Sequence, residues 1–276
     1  MPTPSIIQVR IKKASDGKML DLDDHLAIEE PLEILLQYFL EGKYKIKNIS
    51  VTMRTPGSDN ELAVGFLFTE GIIQSRSQLQ EVRESDSNGN RVQIILDKSA
   101  TPLLRNSERN FYTTSSCGVC GKESIEAIKT ISVYPDCLDE ISLNTKLFYT
   151  LQDQLKKQQV IFESTGGLHA SALFDLDGNF EMLREDVGRH NALDKLIGAA
   201  LLNDQLPLSS KILLLSGRVS FELVQKAMMA GIKVIAGVGA PSSLAVQLAI
   251  ERGITLIGFL SIDRFNIYSG SERFEQ

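Results

Sequence analysis

The chain has 276 residues, 43% of them hydrophobic and 23% charged, with a formal net charge of −6 at pH 7. A chain of this length buries a substantial core, and its acidic balance gives no general attraction to nucleic acid or to an anionic membrane. Three cysteines make a sparse, odd set, which argues against a disulfide framework and for a reducing compartment. No apolar run approaches the ~20 residues that span a bilayer, and Met1-Pro2-Thr3-Pro4 lacks the parts of a secretory signal. Cytoplasm is the expected location.

In chain order, the first stretch reads as β-rich. Ile7, Val9 and Ile11 alternate with polar residues, and Tyr44 to Met53 alternates at Ile46, Ile49, Val51 and Met53. Pro56-Gly57 breaks that strand. Ser58-x-x-Glu61 then has the form of a capping box before an apolar helix from Leu62 to Phe68, ended by Gly71. Asn88-Gly89 predicts a hairpin turn between Gln80–Glu84 and Val92–Leu96. A loop holding Cys117 and Cys120 and a short helix to about Val133 follow. The turn at Pro135-Asp136-Cys137 marks a lobe boundary near residue 140. Asn144 is placed to cap a helix through Lys157. Gly167 to Phe174 reads as a strand, followed by a turn at Asp175–Asn179 and a return strand to about Leu183. Glu185–Ala192 leads into a helix to about Leu202.

Beyond this the chain alternates: strand Lys211–Ser216, helix Phe221–Ala230, strand Ile232–Val238, helix Pro241–Arg252 with proline in its first turn, strand Ile254–Leu260. Continuous Ile/Val/Leu strands between helices predict a largely parallel sheet covered on both faces. The expected fold class is α/β. Residues 1–140 form an α+β N-terminal lobe, β-rich and ending in the cysteine loop and short helix, and residues 141–276 form a C-terminal three-layer α/β/α sandwich.

The chemistry concentrates first in Thr113-Thr114-Ser115-Ser116-Cys117-Gly118-Val119-Cys120-Gly121. A C-x-x-C pair ahead of a helix start is a setting that lowers thiol pKa, and glycine after each cysteine lets another molecule approach. Half a zinc site is the bland reading, but a second C-x-x-C is missing, and only Cys137 and three scattered histidines remain to complete one. Cys137 reads as incidental and His25 as a surface residue. Four further clusters fall at strand ends or loops: Gly166-Gly167-Leu168-His169, Glu185–Lys195, Ser216-Gly217-Arg218-Val219-Ser220-Phe221-Glu222, and Gly237-Val238-Gly239-Ala240-Pro241-Ser242-Ser243. His169 reads equally well as a satisfied strand histidine. The Gly237–Gly239 loop lacks the full dinucleotide fingerprint, and taken alone it reads as structural. Arg189 and Arg218, beside glycines at the mouths of a sheet, suit an anionic ligand with a flat part. Glu185 and Asp186 either orient Arg189 or His190, or are acidic residues favoured near a helix N-terminus.

From about Val51 onward these clusters, in this order, resemble the formate dehydrogenase accessory sulfurtransferase family, FdhD/NarQ. The resemblance rests on Met53-Arg54-Thr55-Pro56-Gly57, Glu61 to Gly71, Ser116–Gly121, Gly166-Gly167-x-His169, Glu185–Lys195 and Ser216-Gly217-Arg218-x-Ser220-x-Glu222. It implies a sulfur carrier required for formate dehydrogenase activity. A cysteine desulfurase loads a persulfide onto Cys117, with Cys120 assisting. The sulfur then passes to the molybdenum (or tungsten) bis-pterin guanine dinucleotide cofactor before its insertion into formate dehydrogenase. The residue types alone do not rank the two cysteines. The family's cofactor contact maps onto Phe259-Leu260-Ser261-Ile262-Asp263-Arg264, where relatives carry arginine at the place of Ser261, so Arg264 is the better basic contact. His169, Arg189, His190, Ser216, Arg218 and Gly239 complete the candidate cofactor-binding set.

The resemblance also implies a homodimer and a C-terminal fold of cytidine deaminase-like type. Ala192 stands where a deaminase glutamate would be, and no cysteine follows Cys137, so neither zinc nor deamination is expected. The alternative reading is a cofactor-binding chaperone that performs no sulfur transfer.

Overall fold

The computed structural model describes residues 4–84, 89–104, 134 and 141–275. Cys117, Cys120, the helix expected after them and Cys137 lie outside the described residues.

Strands β1 (Ile6–Ser15) and β2 (Lys18–Ala27) form an antiparallel ribbon of their own. Asp16 and Gly17 turn it, both at positive φ, which is the Asp-Gly hairpin signature. β3 (Glu30–Leu40), β4 (Lys43–Arg54), β5 (Leu79–Glu84) and β6 (Arg91–Leu96) make a four-stranded sheet in the order β4-β3-β6-β5, with β3 parallel to β6. Its inner face presents Leu32, Ile34, Leu36, Val92 and Ile94, all fully buried. Against this core packs α1 (Asp59–Thr69), buried at Leu62, Ala63, Val64, Leu67 and Phe68.

The second half contributes α2 (Thr145–Gln158), α3 (Val160–Thr165), β7 (His169–Asp175), β8 (Phe180–Asp186), α4 (Arg189–Leu202), β9 (Lys211–Leu215), α5 (Phe221–Met229), β10 (Val234–Gly237), α6 (Ser243–Glu251), β11 (Thr255–Gly258) and β12 (Asn266–Ser269). The six strands form one sheet in the order β12-β11-β10-β9-β7-β8. Alternation along each strand sends successive side chains to opposite faces. Ala170, Ala172, Phe174, Ile212 and Leu214 therefore meet Phe148, Leu151 and Leu155 of α2. Leu173, Leu213 and Leu215 enter the core shared with α4, α5, α6, α1 and the four-stranded sheet.

The crossing of α1 on α4 joins the two halves of the chain. Gly65 and Gly198 face each other there, and a Cβ on either would overlap the other helix's backbone at Asp194 or Glu61. Glycine is required at this spot by close approach rather than by conformation.

Several local expectations need correction. The large sheet is mixed: β9, β10 and β11 are parallel, whereas β7, β8 and β12 pair antiparallel to their neighbours. Ser58 makes no side-chain cap bond and sits at φ 55. Glu61 pairs instead with Arg184, whose Nη2 donates to Oε1 at 2.7 Å, because a charge-assisted fork outweighs a single cap bond. Pro241 precedes the N-cap Ser242 and bridges to Val219, so it ends the β10 loop rather than starting α6. α3 follows α2 after one residue, where no helix is predicted, and β8 runs on to include Glu185 and Asp186. Asn144 does cap α2, accepting from Lys146 N at 2.9 Å.

Candidate functional site

One edge of the six-stranded sheet collects most of the predicted residues. β9, β10 and β11 end there; β7, antiparallel to β9, begins there; and β8, antiparallel to β7, ends there. This topology brings His169, Asp186, Ser216–Arg218, Gly237–Gly239 and Phe259–Arg264 to a common rim. Open α/β sheets place their ligands at such a rim.

Backbone bonds lock the rim loops to one another. Ser216 Oγ accepts from Ala170 N at 2.8 Å while Ser216 N donates to Ala170 O at 3.0 Å. Gly239 N donates to Gly217 O at 3.0 Å, and Phe259 N donates to Gly239 O at 3.2 Å. A Cβ on Gly239 would lie 2.8 Å from Arg218 N, so the two loops approach at backbone distance. Phe259 holds φ 53, a conformation costly for a bulky residue, with its ring half exposed. Ser261 turns inward on its own loop, its Oγ donating to Asp263 Oδ1 at 2.6 Å, while Ile262, Asp263 and Arg264 stay exposed. Leu260 is buried in the core on the α2 side.

Beside the rim, α2 and α3 wall a cavity of about 440 Å³ whose lining includes Lys156, Gln159, Phe162, His169, Ser216 and Val238. Half-buried His169 has its pKa lowered, first by burial and then by the neighbouring Arg189 guanidinium, against an opposing pull from Asp186. The ring is therefore neutral at physiological pH. Arg189 Nε is buried without a hydrogen-bond partner among the described residues. Arg218 is exposed on the loop after β9. His190 points into the protein: it is 6% exposed, with Nε2 3.4 Å from Ser220 Oγ.

The strand-to-helix motif that bears Arg189 serves largely as a clamp. Asp186, fully buried, accepts four hydrogen bonds or ion-pair contacts: from Thr55 N at 3.1 Å, Gly188 N at 2.8 Å, Asn191 Nδ2 at 3.1 Å and Lys195 Nζ at 2.7 Å. Burial pushes its carboxyl up, and Lys195 holds it back. Asn191 Nδ2 and Lys195 Nζ also bond the carbonyls of Met53 and Thr55, at 2.7 and 2.8 Å. The Met53–Gly57 segment is thereby fastened to the start of α4. Arg54 is wholly buried and donates to Asp59 and to Gly89 O, at 2.9 and 2.8 Å from Nη2.

Glu185, on the opposite face of the same strand, turns to α3 and accepts from Ile161 N at 3.2 Å and Phe162 N at 3.0 Å. Burial raises its pKa. Further along α4, Asp194 accepts from Thr69 Oγ1 at 2.7 Å and from Lys226 Nζ at 3.0 Å, which ties α1, α4 and α5 together. Burial opposes the Lys226 ammonium, yet Asp194 and Glu70 raise its pKa above the ordinary lysine value.

Sequence reasoning thus brought Arg189 and His169 to the rim but missed the clamp roles of Asn191, Asp194 and Lys195. It also missed the cavity wall from α3, a helix too short to show a periodic pattern. The polar residues at i, i+3 and i+4 within an otherwise apolar α4 were the available signal for the clamp.

Comparison with known proteins identifies the family of the chain. The model of the FdhD/NarQ family matches residues 27–275. The "Sulfur carrier protein FdhD" of Mycolicibacterium paratuberculosis is 47% identical over 271 residues, covering 96% of this chain and 97% of that protein. The protein of the same description from Streptomyces coelicolor is 46% identical, covering 96% of this chain and 94% of the relative. The crystal structure of a putative formate dehydrogenase accessory protein from Desulfotalea psychrophila superposes with a TM-score of 0.72 at 23% identity, covering 99% of this chain and all of that one. This last likeness establishes the fold. On the family match and these full-length relatives, the chain belongs to the FdhD/NarQ family.

Proposed function

We propose that this protein is a sulfur carrier for formate dehydrogenase, a sulfurtransferase acting on a guanine dinucleotide form of the molybdenum (or tungsten) cofactor as cargo. Family membership supports the carrier role, since full-length relatives are described as sulfur carrier proteins. The observation that carries the cargo is the buried, unpartnered Arg189 Nε beside neutral His169 at a rim shared by five strands. A guanidinium with a free donor suits a phosphate or a ring carbonyl, and a neutral imidazole donates or accepts without adding charge. Arg218 and Arg264 stand exposed at the same rim for the outer phosphates, and Ser216, Gly239 and the Phe259–Arg264 loop shape its floor.

In the transfer step, the Cys117 thiolate attacks the outer sulfur of a persulfide on a cysteine desulfurase. The new S–S bond forms as the donor's S–S bond breaks, and the donor thiolate leaves with the electron pair. The Cys120 thiolate then attacks the inner sulfur of the Cys117 persulfide, and a Cys117–Cys120 disulfide forms as the outer S–S bond breaks. The carried sulfur leaves with the electron pair as sulfide, passing to the cargo before the cargo enters formate dehydrogenase. Cys120 assists. We place this chemistry in the cytoplasm and in a homodimer, with the chain organised as lobes 1–140 and 141–276. The second lobe, with helices on both faces of its mixed sheet, is read as cytidine deaminase-like.

The test is mass spectrometry after incubation with a desulfurase and cysteine. A species one sulfur atom heavier is expected, and it disappears in Cys117→Ala. A Cys117→Ala/Cys120→Ala protein that still restores formate dehydrogenase activity would replace the carrier reading with a cofactor chaperone.

A further inference from the structure

Most of the cavity beside the rim is walled by the frame of the fold. His169 opens β7, Ser216 follows β9, Val238 follows β10, and Leu155 of α2 is buried in the core. The remaining wall is α3, which brings Phe162 to the lining. Six residues make fewer than two turns, too short a helix to be stable alone. No residue of α3 is buried, Val160 and Phe162 are 70% and 39% exposed, and the β-branched pair Val160-Ile161 is a weak start for a helix. α3 also lies against β2, whose own residues are nearly all exposed and offer it little burial.

What α3 lacks locally is supplied from another strand. Gln159, at its N-cap, makes no side-chain cap bond. Glu185 of β8 fills that place: Oε2 accepts from Ile161 N at 3.2 Å and Oε1 from Phe162 N at 3.0 Å. Both carboxylate oxygens thus take consecutive free N–H groups of the first turn, as charge-assisted bonds. Phe162 O in turn accepts from Gly166 N at 2.7 Å, where φ 65 at Gly166 turns the chain out of the helix. The backbone of Phe162 is therefore held on one side by Glu185 and on the other by the end of its own helix.

Glu185 is itself firmly based. It pairs with Ala170 across β8 and β7, and Lys195 Nζ donates to its carbonyl at 3.4 Å. Its neighbour Asp186 fastens α4 to the Met53–Gly57 segment. One strand end thus carries two clamps, of which Asp186 secures the core and Glu185 secures the cavity wall.

We propose that Glu185 is a positioning residue of the candidate site, whose carboxylate holds Phe162 against the cavity so that a guanine ring entering from the rim meets an aromatic wall. The identity of that ring rests on the cargo reading given above; the fastening of α3 does not.

Amide exchange and nucleotide titration of the full chain are the test. In Glu185→Ala, Ile161 and Phe162 exchange about tenfold faster or more, while β7, β8 and α4 keep wild-type protection. GDP, the probe in calorimetric titration, binds wild type and binds Glu185→Ala about tenfold more weakly, the worth of one base–aromatic contact. Glu185→Gln keeps the shape and one acceptor oxygen; it falls between the two, and serves where the alanine variant does not fold. Phe162→Ala weakens GDP binding as much as Glu185→Ala does, and the two changes together weaken it no further, because Glu185 acts through Phe162. Additive losses, unchanged exchange at Ile161 and Phe162, or a loosened α3 with GDP binding intact would each overturn the inference. A wild type that binds no GDP overturns the cargo reading instead, and exchange at Ile161 and Phe162 then decides whether Glu185 holds the wall.

Discussion

Replacing Gly239 by alanine tests whether the rim is a set of loops fixed at backbone distance. The added Cβ would meet Arg218 N at 2.8 Å, Gly217 C at 2.9 Å and Arg218 Cα at 3.0 Å. These are backbone atoms, about half an ångström short of ordinary contact, so no side-chain rotation relieves the overlap. The loops must part, at a cost of about 1–3 kcal/mol for overpacking, and the Gly239 N to Gly217 O bond stretches at a cost of about 1 kcal/mol more. At roughly 2–4 °C per kcal/mol, thermal unfolding shifts down by about 4–16 °C. Arg218 moves with the loop, so activation of formate dehydrogenase falls as well. Gly217→Ala is the matched control. Its Cβ would meet only the His169 ring, at 3.2 Å from Nδ1, and a side chain can yield. Differential scanning calorimetry of the two variants decides the matter. A Gly239→Ala protein that melts like wild type, or a Gly217→Ala protein that loses as much, refutes the reasoning.

Three other outcomes are expected. Asp186→Asn strands the buried Lys195 ammonium and costs about 3–5 kcal/mol in urea unfolding, while Asp186→Asn/Lys195→Met loses less than the single change. His169 titrates below its ordinary value of 6.5 in NMR, and Arg189→Gln moves the midpoint up, because the guanidinium is one cause of the depression. Below that ordinary value the unfolded chain binds more protons than the fold at this position, so stability falls as pH drops through the window; His169→Asn flattens that part of the curve. Gly65→Ala forces α1 off α4 at backbone contact and lowers stability by about 3 kcal/mol or more, read as a fall in the urea midpoint.

Much of this architecture was legible in the residues. The alternation of buried strands and helices after Lys211 follows from unbroken Ile/Val/Leu runs, which only a sheet covered on both faces accommodates. Asn144 announced its helix because a short polar side chain at that place satisfies a free backbone N–H. Arg189 and Arg218 stood out because charged residues beside glycines are poor core material. The Asp175–Asn179 turn announced β8 as a return strand, whereas the antiparallel sense of β7 against β9 was not legible, since a strand's own residues are compatible with either pairing sense. Asp16-Gly17 carried a hairpin signal that identifies β1–β2 once both strands are seen.

The sequence by itself determined the chemical inventory: a C-x-x-C pair, arginines with glycines at strand ends, and family motifs that identify the chain. Tertiary structure alone decided which motif residues stand at the rim and which hold the frame. Glu185 and Asp186 are adjacent in the chain yet serve different helices, because consecutive strand residues point to opposite faces. Asn191 and Lys195 belong to the same polar cluster as Arg189, and they are consumed by Asp186 and the carbonyls of Met53 and Thr55. A buried polar group must be satisfied by something, and only the folded chain shows what lies within reach.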